Sequence, residues 1–164
     1  MKTKTKTKLL VNWWLIGGYL AFIVLFCLTS FIGGQVFDLY DNTAWFDKLL
    51  HAIGGAFFAV VGFSVYFALS GGKISDGRPT FLVALFAFCF SITIAVLWEF
   101  FEFAMDTMFG MNMLRWKDKD HSAQGMGAGL TDTMWDMILG AGAAFVVCFI
   151  GWLWLRRGKK PSAR

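Results

Sequence analysis

The sequence predicts an all-α, polytopic membrane protein of four transmembrane helices with both ends cytoplasmic. Three observations carry this expectation. The 164 residues are 57% hydrophobic and only 16% charged, with a mean hydropathy of +0.60, a composition outside the range of water-soluble domains. Four apolar stretches each reach the roughly 20 residues that a helix needs to cross the hydrocarbon core. The lysines and arginines gather where retention of positive charge on the cytoplasmic side would place them.

The first stretch covers residues 9–32. A lysine-threonine repeat precedes it and superficially resembles a signal peptide. The apolar run is too long for one, no small-residue cleavage site follows it, and Phe26 before Cys27 does not suit a lipoprotein junction, so a retained first helix is expected. Gly33-Gly34 ends it. The second stretch, 45–69, stops at Ser70-Gly71-Gly72, and the third, 80–103, starts behind Pro79. The fourth, 130–155, follows a long Gly-rich loop. The chain thus divides into a basic cytoplasmic N-terminus (1–8), a four-helix transmembrane domain (9–155) and a basic cytoplasmic tail (156–164), with no second domain.

Orientation follows from the bases. Lys2, Lys4, Lys6 and Lys8 precede the first helix, Lys73 and Arg78 lie between the second and third, and Arg156, Arg157, Lys159, Lys160 and Arg164 follow the fourth. Eleven of the fifteen bases therefore share one side, leaving Lys48, Arg115, Lys117 and Lys119 on the other. Tryptophan, which favours the headgroup level, gives a check independent of charge. Trp13, Trp14, Trp152 and Trp154 fall at the inner ends, Trp45, Trp98 and Trp135 at the outer ends, and Trp116 in the outer loop. The net charge of +4 reports topology rather than a nucleic-acid partner, because the bases flank apolar runs that no soluble basic domain carries. Cys27, Cys89 and Cys148 each stand alone in a different apolar run and read as buried small hydrophobes.

Ten of the eleven acidic residues fall on the outer side of this topology, all but Asp76. On the second helix Asp47 and His51 are four apart; on the third Glu99, Glu102 and Asp106 follow at three and four; on the fourth Asp132 and Asp136 are four apart. Such spacings put side chains on one helical face. Each pair alone has a bland reading, since acids such as Asp47 and Asp132 near a helix N-terminus are favoured by the dipole and by capping. Three antiparallel helices carrying polar stripes at one height point instead to a shared site. No formal charge occurs in 52–69, 80–98 or 137–155. The site is therefore expected near the outer headgroup level, as an interfacial pocket and not a conduction path.

Carboxylates gathered in such a pocket repel, so protons or a cation must compensate them. Many carboxylates with a single imidazole suit a hard divalent cation, Mg²⁺, Mn²⁺ or Ca²⁺, with Glu99, Glu102, Asp106, Asp132 and Asp136 as candidate ligands. The di-iron bundle signature is incomplete, because Glu99-Phe-Phe-Glu102 has glutamate where that motif has histidine. His51 can serve as base, ligand or phosphate contact, or simply bond a neighbouring acid; His121, in the charged outer loop, reads as solvated. The Gly-rich segment 124–131 reads as a flexible re-entry loop, and Gly54, Gly55 and Gly140-Ala-Gly-Ala-Ala as tracts for close helix packing.

The run Asp47-Lys48-Leu-Leu-His51, the pair Trp98-Glu99 with Glu102, and Asp132-Thr133-Met-Trp-Asp136 followed by Gly140 resemble the VanZ-like group of small bacterial membrane proteins, especially its uncharacterised inner-membrane branch. The resemblance covers 47–140. Where the VanZ pattern has glutamine and asparagine, this chain has Glu102 and Asp136, which adds acidity. It implies a multi-pass protein of the bacterial plasma membrane but no particular reaction.

The leading expectation is an inner-membrane protein with an acidic, metal-compatible outer pocket that binds or acts on a lipid-linked or envelope substrate. His51 with Asp47, Glu99 and Glu102 would supply acid and base, and Asp106, Asp132 and Asp136 would bind substrate. The alternatives are an accessory subunit of a larger membrane complex and a small proton or cation transporter.

Overall fold

A computed structural model of the chain describes residues 13–35, 37, 39–43, 45–71, 79–117 and 126–157. Both basic tails beyond that range, Lys73, Arg78, Lys119, Asp38, Asp76, Asp118, Asp120 and His121 lie outside the described residues. The elements are α1 (Trp13–Gln35), a single turn α2 (Leu39–Asn42), α3 (Phe46–Leu69), α4 (Thr80–Phe109) and α5 (Met126–Arg157). α1, α3, α4 and α5 are each long and apolar enough to cross a membrane. The protein is an all-α polytopic membrane protein.

The long helices stop where backbone chemistry stops them. α3 ends at Ser70, whose N–H bonds the Tyr66 carbonyl, and the chain turns away through Gly71 at φ 67°. Pro79 in extended conformation launches α4. α4 ends on Gly110, also at φ 67°, with its N–H on the Asp106 carbonyl. α4 therefore runs six residues past the expected end at Phe103, which places Asp106 on the helix. α5 begins at Met126, so residues 126–131, expected as a flexible loop, are helical.

The antiparallel helices α3, α4 and α5 pack each against the other two, around Ala59, Ala84, Ala87, Ala144 and Cys148. In lipid, burial of apolar surface does not drive helices together, and close van der Waals packing of small residues takes its place. A Cβ on Gly55 would run into the backbone of Gly140, and one on Gly62 would meet the Ala87 Cα at 2.8 Å. Between α3 and α4 the buried Ser91 hydroxyl donates to the Gly55 carbonyl at 2.8 Å. Of the cysteines only Cys148 is buried; Cys27 and Cys89 are exposed on the bundle's surface, where a thiol is a tolerable lipid-facing group.

α1 stands apart from this core. It touches α3 through rings, with Phe22 stacked on Phe57 at 3.8 Å between centroids, and through the Tyr19 hydroxyl, 2.6 Å from Ser64 Oγ. Phe26 meets Trp98 of α4 edge-on at 6.3 Å. The end of α1, α2, the start of α3, the end of α4 and the start of α5 all share one end of the bundle.

Candidate functional site

That end holds the polar stripes. Asp47 occupies the first turn of α3, where the helix dipole favours an acid. Its side chain nonetheless turns inward, 3% of the residue being exposed, and its Oδ1 lies 3.6 Å from His51 Nε2. His51 is one turn further along the same face. From α4, Glu102 Oε1 approaches the same ring nitrogen at 3.9 Å, and Glu99 Oε1 lies 3.6 Å from Nδ1 on the other side of the ring. From α5, Asp132 and Asp136 reach in beside Lys48, which holds Asp132 Oδ1 at 3.0 Å and stands 3.8 Å from Asp136 Oδ1.

Three sets of potential ligand atoms result, each closely grouped, with all of its atoms within 4.8 Å of one another: Asp47, His51 and Glu102; His51, Glu99 and Asp136; and Asp47, Asp132 and Asp136. The structure thus brings together six of the seven residues singled out from the spacing. The seventh, Asp106, is buried but turns elsewhere. Its two carboxylate oxygens accept the backbone N–H groups of Met113 at 2.7 Å and Leu114 at 3.1 Å, so it shapes the loop after α4. Asp132 lies well inside α5, because that helix starts earlier than expected, and it pairs with Lys48 instead of capping.

The loop 110–117 folds back on this end. Asn112 is tied to Lys117 through both its amide oxygen and its amide nitrogen. A Cβ on Gly129 would meet Trp116 Cβ at 3.2 Å and the Leu114 carbonyl at 3.3 Å, which shows why a glycine sits where the loop crosses α5. Arg115 donates to the Tyr40 carbonyl and so links the loop to α2. The Tyr40 hydroxyl, hydrogen-bonded to Ser30, is pushed up to about 12 by burial, and the charges of Asp47 and Glu102 act in the same direction. It stays a neutral phenol across the physiological range.

Sequence reasoning missed several participants. Lys48 registered only as a topological charge, yet it is the cation of the α3–α5 contact. Trp98 registered as an interfacial anchor, yet its Nε1–H donates to Glu102 Oε1 at 2.7 Å. Both are visible in retrospect at three and four residues from site residues, on the same helical face. Tyr40 and Ser30 carried no periodic signal.

Beside the cluster lies a partly open cavity of about 210 Å³ between α1, α3 and α4. Phe22, Ile23, Phe26, Phe58, Ile94 and Ala95 form most of its wall, and Ser30, Tyr40, Asp47 and His51 close its polar end.

No curated protein and no solved structure matches the chain. A protein-family model does, over residues 8–157, a stretch that includes all four long helices and every site residue. The chain belongs to that family, described as "Predicted membrane protein (DUF2238)".

Proposed function

We propose that the protein binds a lipid-linked substrate of the bacterial envelope, with the substrate's polar head at the carboxylate-imidazole cluster and its hydrocarbon chain in the cavity beside α1. The observation that carries this reading is the gradient along the cavity wall, from phenylalanine and isoleucine to Asp47 and His51. An amphiphile has that same gradient. An apolar cavity of about 150 Å³ accepts a ring the size of benzene, so about 210 Å³ takes the first stretch of a chain. The remainder can run out into the bilayer beside α1, which meets the bundle through side chains alone along most of its length.

The reading includes a location and an orientation: the inner membrane, with the cluster facing the periplasm or exterior. The eleven-to-four split of the bases supports it, as does the resemblance of the short motifs around Asp47, Glu99 and Asp132 to those of the VanZ-like group. A periplasm-specific reporter should be active when fused at His121 and silent at Gly72, and the reverse pattern would refute the orientation. Transport through the bundle has less support. Beyond Ser91 the buried residues include Ala59, Val83, Ala84, Ala87, Ala144, Cys148 and Leu155, with Thr80 at the start of α4, and no carboxylate or imidazole lies there among the described residues.

Gly54 supplies the test. A Cβ there meets only Phe26 Cζ, at 3.7 Å, so a side chain can grow into the cavity without touching the Gly55–Gly140 contact. Wild-type protein exchanged through detergent should carry an amphiphile visible by native mass spectrometry, and Gly54→Leu should fold normally and lose it. Equal retention of amphiphile by both proteins would contradict the reading.

A further inference from the structure

Five carboxylates, those of Asp47, Glu99, Glu102, Asp132 and Asp136, meet at this end of the bundle, and among the described residues the basic groups within 4 Å of them are the Lys48 ammonium and the His51 imidazole. Their oxygens are not equally provided for. Glu102 Oε1 receives the Trp98 indole N–H, and Asp132 Oδ1 receives the Lys48 ammonium. Both oxygens of Glu99 and Oδ1 of Asp136, by contrast, are buried without a hydrogen-bond donor. The Glu99 and Asp136 side chains are 8% and 3% exposed, so bulk solvent has little access to them. His51 Nδ1 at 3.6 Å and the Thr133 hydroxyl face Glu99 without completing a bond to it. A buried carboxylate oxygen left in this state is destabilising, and a bound cation would offset that cost.

The unpartnered oxygens are not scattered over the cluster. Both residues belong to the set made of His51, Glu99 and Asp136, which has ligand atoms within 4.8 Å of one another, whereas each of the other two sets contains at most one of them. We infer that a divalent cation is held by His51 Nδ1, Glu99 and Asp136. The rest of the cluster then has a consistent role. A neutral imidazole that ligates through Nδ1 carries its proton on Nε2, and Nε2 faces Asp47 at 3.6 Å and Glu102 at 3.9 Å. Carboxylates on the far side of a ligating ring fix its tautomer and orientation. Lys48 neutralises Asp132 and stays too far from Asp136 Oδ1, at 3.8 Å, to satisfy it. Two carboxylates and one imidazole suit Mn²⁺ better than Ca²⁺ or Mg²⁺, which take oxygen ligands almost throughout. The inference stands whether or not an amphiphile fills the cavity, although a cation here would also let an anionic head approach an acidic site.

Mn²⁺ itself is the probe. The full chain in detergent, stripped with chelator, is titrated with Mn²⁺ while the electron paramagnetic resonance of the free ion is followed. One ion should bind per chain, and the thermal midpoint should fall with chelator and recover with Mn²⁺. Glu99→Gln and Asp136→Asn, each close to isosteric, should weaken binding by about a hundredfold or more, while Glu102→Gln, across the ring from the ion, should weaken it by roughly tenfold. If one of the first two variants does not fold, the other and the wild-type titration decide. A wild type that binds no Mn²⁺ overturns the inference, and so does a site lost in Glu102→Gln but kept in Glu99→Gln.

Discussion

The two halves of the α3–α4–α5 bundle solve the same packing problem in opposite ways. In one half glycine and alanine bring the backbones into contact: Gly55 against Gly140, Gly62 against Ala87, with the Ser91 hydroxyl on the Gly55 carbonyl. There, among the described residues, no carboxylate or imidazole is present and no buried side-chain oxygen or nitrogen is left without a partner. In the other half, one turn away, the same three helices carry six carboxylates, five of them gathered with a lysine and an imidazole, and three buried oxygens go without a donor. The first half explains the second. A Cβ on Gly140 would lie 3.3 Å from the carbonyl of His51 itself, so the seam sets the helix separation at the height where the site begins. A membrane bundle gains nothing from a buried carboxylate that stays unsatisfied. A tight seam that holds such groups in place therefore points to a ligand, not to stability.

The larger effect belongs to the seam. Gly55→Leu drives a side chain into the Gly140 backbone, and overpacking of this kind costs about 1–3 kcal/mol, with backbone contact at the upper end or beyond. Loss of monodisperse protein, or a large fall in the thermal midpoint in detergent, is expected. Full stability of Gly55→Leu would show that the helices are not held at this separation. A smaller effect comes from the polar side. Lys48→Met removes the donor to Asp132, and a hydrogen bond between charged groups is worth roughly 1.5–3 kcal/mol. Because Lys48 is 30% exposed, the lower part of that range applies. Adding Asp132→Asn should restore most of the loss in a double-mutant cycle. Additive losses would mean that the α3–α5 ion pair contributes nothing.

Hydropathy made the four spans legible because a membrane helix must satisfy its backbone internally and match a fixed thickness. Boundaries were less legible. Residues 126–131 read as a loop because glycines weaken a helix by about 1 kcal/mol each, whereas Gly129 is needed where Trp116 and Leu114 cross α5. Spacing by three and four brought out Asp47, His51, Glu99, Glu102, Asp132 and Asp136, since each pair shares a face of its own helix. It could not separate them from Asp106, which is on the same stripe of α4 but binds the loop. Periodicity on one helix says nothing of which partner faces it. For that reason Lys48 and the Trp98 indole escaped notice, and nothing in the spacing set Glu99, with its unpartnered oxygens, apart from Glu102. The cavity beside α1 has no sequence signature, since its apolar wall reads like any other lipid-facing surface.

The unpartnered oxygens of Glu99 and Asp136 mark a ligand position, and crystals grown with Mn²⁺ put this to the test. An anomalous difference peak at the manganese edge is expected among His51 Nδ1, Glu99 and Asp136, with metal–oxygen distances near the roughly 2.0–2.2 Å usual for a first-row divalent ion at carboxylate ligands. Well-ordered side chains with no such peak, and with the Glu99 and Asp136 oxygens hydrogen-bonded to protein groups or to one another through shared protons, would contradict it.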